Sequence, residues 1–108
     1  MHLSGNEKKA LAKLKDLLKK ARLGLVALRL FGSKARGDYT QESDVDIAVI
    51  LDEVDQAVEQ EVFDICFEVG LEYDLLLSPI VLSVSETNSS KHKITPFFKI
   101  LEREGIAV

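Results

Sequence analysis

The chain has 108 residues, 46% of them hydrophobic and 30% charged, a balance that excludes a disordered polymer and sets the scale of one domain, residues 1–108. Its net charge of -4 excludes a protein that lives on the phosphate backbone of DNA or RNA, which takes clustered cations. The single cysteine, Cys66, forms no internal disulfide, no charged start leads into an apolar run, and no stretch reaches the ~20 apolar residues of a membrane span, so a soluble, cytoplasmic protein is expected.

Leu11, Leu14, Leu17, Leu18 and Ala21 recur at spacings of three and four among lysines, which predicts an amphipathic helix. Ser4 with Glu7 forms a capping-box pair at its start, and Gly24 marks its end. The aliphatic run Leu25 to Phe31 predicts a strand buried on both faces, with Arg29 left to reach solvent or a partner. After a polar turn, Asp44 to Leu51 predicts a second strand. Its alternation puts Val45, Ile47, Val49 and Leu51 on one face and Asp44, Asp46, Ala48 and Ile50 on the other.

Asp55 then caps a helix with Val58, Val62, Ile65, Cys66 and Val69 on one stripe, and Gly70 stops it. Leu71 to Leu77 predicts a third strand in which Asp74 is an unexpected guest, with Glu72 on the same face. Pro79 breaks that strand, Ile80 to Val84 is a further candidate, Ser85 to Lys93 reads as a polar loop, and a last helix runs from Pro96 to Gly105.

The chemistry is concentrated in Phe31-Gly32-Ser33-Lys34-Ala35-Arg36-Gly37-Asp38 and in Ser43-Asp44-Val45-Asp46. Gly32 permits a sharp turn and close approach to a ligand, Ser33 can cap a following helix and bond a phosphate oxygen, and free N–H groups there form an anion site. Asp44 and Asp46 project from one strand face with Cα atoms roughly 6–7 Å apart, close enough to grip one cation. Hard oxygen ligands beside a phosphate-binding turn suit Mg²⁺, which takes one or two carboxylates and completes its shell with substrate phosphates and water. Asp74 on a neighbouring strand would add a third carboxylate and a second ion, the arrangement that activates an attacking hydroxyl and clamps a triphosphate.

These residues resemble the DNA polymerase β-type nucleotidyltransferase superfamily, whose signature is Gly-Ser, ten residues, then Asp-x-Asp; Gly32-Ser33 and Asp44-Val45-Asp46 keep that spacing. The longer string Gly-Ser-x-Ala-Arg-Gly-Asp followed by Ser-Asp-x-Asp is similar to the minimal nucleotidyltransferase branch, whose members also tend to end like Glu104-Gly105-Ile106. The resemblance covers nearly the whole chain. It implies an α/β fold with a short mixed sheet and helices packed on one face, MgATP binding at Gly32 and Ser33, metal binding at Asp44 and Asp46, and a third catalytic and metal-binding aspartate at Asp74. It also implies an acceptor, a HEPN-domain ribonuclease toxin, with this chain as the antitoxin that adds AMP to one of its hydroxyl side chains, in a pair that associates as a hetero-oligomer.

Other readings stand beside these. Arg36 is either a phosphate contact or a structural ion-pair donor. Lys34 faces solvent, as do His2 and His92, which lack metal-site spacing. Cys66 is inert core, Phe97 and Phe98 pack into the core or an interface, and the lysine face of the first helix is solvated or docks an acidic partner. Two rival functions remain: a small-molecule nucleotidyltransferase of the aminoglycoside-modifying kind, which usually carries an added domain for its acceptor, and an antitoxin that acts by binding alone.

Overall fold

A computed structural model describes residues 5–32, 44–87 and 106–107. Helix α1 (Gly5–Lys20) leads to strand β1 (Leu25–Phe31) and strand β2 (Val45–Leu51). Helix α2 (Gln56–Tyr73), strand β3 (Leu77–Ser83), a single helical turn α3 (Val84–Thr87) and the two-residue strand β4 (Ile106–Ala107) follow. The sheet order is β3-β2-β1-β4. β1 runs antiparallel to β2 and to β4, while β2 and β3 run parallel, joined by α2 as the crossover helix. The sheet is therefore mixed.

Both long helices pack on one face. Leu11, Leu14 and Leu18 of α1 and Val62, Cys66 and Val69 of α2 meet Leu28, Leu30, Val45, Ile47, Val49, Leu51 and Leu77 in a single core. The expected stripes on both helices account for this layer. On the opposite face Ala48, Ile50 and Leu82 form a smaller cluster with Ala27, Phe31 and Val84. Burial pushes the Cys66 thiol up to about 12, so at neutral pH it is a protonated, inert core side chain. No helix among the described residues is long and apolar enough to cross a membrane.

The ends of α2 differ in how well the sequence announces them. Asp55 caps the N-terminus as expected, its side chain accepting from the Val58 amide at 2.8 Å. Asp55→Ala should lower stability by about 1 kcal/mol, read as a fall of roughly 4–8 °C in Tm. Gly70, however, does not stop the helix, which continues to Tyr73 and closes on Asp74 in the left-handed region at φ 54. The Asp74 and Leu75 amides both donate to the Gly70 carbonyl. Gly70 is required because the Leu75 carbonyl oxygen would lie 2.6 Å from any Cβ placed there. It serves close backbone packing at the turn, not helix termination.

The third strand consequently starts later than expected, at Leu77, and Leu71 to Leu77 is not a strand. Pro79 lies inside β3 rather than breaking it. β3 is the edge of the sheet, where a residue without an N–H is tolerated provided the vacant side faces away from β2. β1 is not buried on both faces either: pairing with β2 shifts between Leu25 and Ala27, which leaves Val26 unpaired and 53% exposed. Arg29 is exposed, as its charge requires. Where a polar loop is expected, Val84–Thr87 forms one helical turn. Ser4 and the segment from Pro96 to Gly105 lie outside the described residues.

Candidate active site

The site is built where β1 ends and β2 begins. In the antiparallel ladder Phe31 stands opposite Asp46, so the residue after Phe31 meets the aspartate as the chain turns away. That residue is Gly32, at φ +75. A Cβ on it would collide with Asp46 Oδ2 and lie 3.1 Å from its Cγ. A glycine is thus demanded twice, by the left-handed backbone and by the carboxylate against it.

Gly32→Ala should cost about 1–2 kcal/mol in backbone strain alone. It should also displace the Asp46 carboxylate, weakening MgATP binding at least about tenfold, ~1.4 kcal/mol. Thermal melts with and without nucleotide separate the two effects. An alanine variant with wild-type nucleotide affinity would show that the contact has no role in binding.

Val45 is buried in the helix-side core, only 1% exposed, so Asp44 and Asp46 on either side of it share the other face. Asp44 is exposed and Asp46 half-buried. Such a pair fits a hard divalent cation: two hard oxygens at the mouth of a turn leave the remaining positions to phosphate oxygens and water. Among the described residues no three His, Cys, Asp or Glu side chains converge as a metal-binding group.

Asp74 is not on a strand beside Asp46. It forms the exposed C-cap of α2, and the residue in register with Asp46 on β3 is Ser78. It does lie at the same end of the sheet, since Leu76, two residues further on, accepts from the Val45 amide at 2.9 Å. Ser33, Lys34 and Arg36 lie outside the described residues.

Two further side chains share the carboxylate face without having been picked out from the sequence. Ser78 follows Leu77, which is buried in the helix-side core, and therefore points to the Asp46 side. Arg29, opposite Ala48, is the diagonal neighbour of Asp46 at a Cα separation of roughly 7–8 Å, placing a cation beside the acids. Only strand register reveals them, and register is not written in any local pattern. A cleft of about 560 Å³ at Arg22, Gly24, Asp52 and Asp55 lies at the opposite end of β1 and β2, roughly 20 Å away, and contains none of the motif residues.

Comparison with known proteins agrees with the location. A family model described as "Nucleotidyltransferase domain" matches residues 8–107. Two proteins of Methanocaldococcus jannaschii, each bearing the name "Putative protein adenylyltransferase", are similar. One is 47% identical over 80 residues, 73% of this chain and 74% of its own length. The other is 42% identical over 79 residues, 72% of this chain and 75% of its own. A solved toxin–antitoxin structure with AMP-PNP has the same fold, with a TM-score of 0.60 at 21% identity, covering 89% of this chain and 69% of that one.

Proposed function

We propose that this chain, which belongs to the nucleotidyltransferase domain family, transfers AMP from MgATP to a hydroxyl side chain of a partner protein. The observation that carries the reading is the packing of Gly32 against the Asp46 carboxylate, which joins a phosphate-binding turn to a metal-binding acid. A protein acceptor is supported by the names of the two relatives, and an ATP-like nucleotide by the AMP-PNP in the similar toxin–antitoxin structure. The partner is then a HEPN-type toxin, and this chain its antitoxin.

In the reaction the acceptor oxygen bonds to the α-phosphorus, the bridge to the β-phosphate breaks, and pyrophosphate leaves. Asp44 and Asp46 hold Mg²⁺, which when bound neutralises the phosphate charge that grows during displacement. Gly32 and Ser33 present backbone and hydroxyl to the phosphates. Arg36 and Arg29 add cationic contacts. Asp74, the third carboxylate, acts on the acceptor hydroxyl, drawing off its proton as the new bond forms.

The test is incubation of the chain with labelled ATP, Mg²⁺ and the protein encoded beside it, followed by mass spectrometry. An added AMP mass on the neighbour is the expected result. Neutralisation of an unmodified neighbour would replace transfer by binding alone.

A further inference from the structure

Helix α2 carries two apolar stripes, and the core uses only one. Val62, Cys66 and Val69 face the sheet and α1, whereas Phe63, Phe67 and Leu71, spaced by four, run along the outside. Phe67 is 67% exposed and Leu71 68%. Across the edge strand Leu76, 65% exposed, and Ile80 extend the strip. A groove of about 280 Å³ lies between the two elements, lined by Phe63, Phe67, Leu71, Leu76 and Pro79, with Gly70 opening its floor. Isolated exposed hydrophobics need no explanation, but a continuous strip with a groove does.

Secondary structure and charge narrow what fits there. Pro79 leaves the outer edge of β3 without a donor at its centre, which opposes addition of a strand. No lysine, arginine or histidine occurs from Asp44 to Thr87. The exposed acids Glu59, Asp64, Glu68, Glu72 and Asp74 belong to α2 and its cap. Such a surface repels nucleic acid and anionic lipid. A second copy docked strip to strip about a two-fold axis would face these acids with the same acids. What complements the strip is a helix with an apolar stripe between basic flanks.

We propose that the α2–β3 strip is the docking site for a basic amphipathic helix of a partner protein. Apolar residues of that helix sit on Phe63, Phe67, Leu71 and Leu76, and its lysines or arginines lie against Glu68 and Glu72. Leu76 hydrogen-bonds to Val45, the neighbour of Asp44, so a helix seated there is held beside the metal-binding carboxylates. Only what the docked partner receives rests on the reading of the active site; docking itself does not.

The experiment uses two fluorescein-labelled helical peptides with one leucine stripe, flanked by lysine in the first and by glutamate in the second, titrated with the whole chain by fluorescence anisotropy. The lysine peptide should bind, at least about tenfold more tightly than the glutamate peptide, and Phe67→Glu should weaken it at least about tenfold. MgATP affinity should be unchanged in Phe67→Glu, while Asp46→Asn should lose MgATP and keep the peptide, so a failed nucleotide site and a failed docking site give different results. If circular dichroism shows Phe67→Glu misfolded, Leu71→Gln supplies the same comparison. Failure of the lysine peptide to bind, equal affinity for both peptides, or indifference to the strip substitutions would overturn the proposal. A wild-type dimer that these substitutions dissolve would also overturn it, by giving the strip to a second copy.

Discussion

Asp46→Asn is expected to lower nucleotidyl transfer on the order of 10³-fold, because the site loses a ligand charge whose ion contributes several kcal/mol in the transition state. The substitution keeps the shape of the side chain beside Gly32. It also removes one of two like charges on adjacent same-face positions of β2, so the apo protein should not be destabilised by more than about 0.5 kcal/mol. The difference should emerge with ligand. At MgATP about one hundred times its Kd the wild type gains ~2.7 kcal/mol, and the variant should gain almost none. A Mg²⁺-dependent thermal shift and transfer rate equal to wild type would remove the metal from Asp46.

Asp74→Asn should also abolish transfer, by orders of magnitude, yet leave MgATP binding largely intact, because the proposed role of this carboxylate is toward the acceptor hydroxyl. The choice of asparagine matters. At φ 54 an alanine would strain the backbone and confuse folding with chemistry, whereas asparagine tolerates the left-handed region and preserves the cap of α2. Single-turnover transfer at saturating MgATP, with Tm as the control, reads the result. If Asp74→Asn transfers at the wild-type rate, Asp74 is a helix cap and nothing more.

The legible parts of the fold were those written in periodicity. The stripes of α1 and α2, the Asp55 cap and the alternation of β2 all rest on local spacing, and Leu14, Val62 and Ile47 are buried accordingly. The two aspartates could be assigned to one face of β2 for the same reason. What was misread depended on partners distant in sequence. Gly70 looks like a helix stop, but its missing side chain makes room for the Leu75 carbonyl. Pro79 looks like a break until β3 is known to be an edge strand. These two misreadings together moved Asp74 from a cap to a strand. Ser78 and Arg29 escaped notice because only the pairing of β3 with β2 and of β1 with β2 brings them to the carboxylate face.

The position of β2 between β1 and β3 has a bearing on how the protein opens and refolds. A strand flanked on both sides, with Ile47, Val49 and Leu51 fully buried, exchanges its amide protons only when the whole domain unfolds, while edge strands and helix ends fray at lower cost. The parallel ladder to β3 closes only after the intervening helix has crossed over, so this pairing carries the long loop-closure entropy of a non-local contact. Asp46 therefore gains its final setting late in folding and keeps it until global unfolding. Partly folded chains should have no nucleotide site to offer, and a protease that nicks the frayed edge should leave the strand that carries the acids among the last protected.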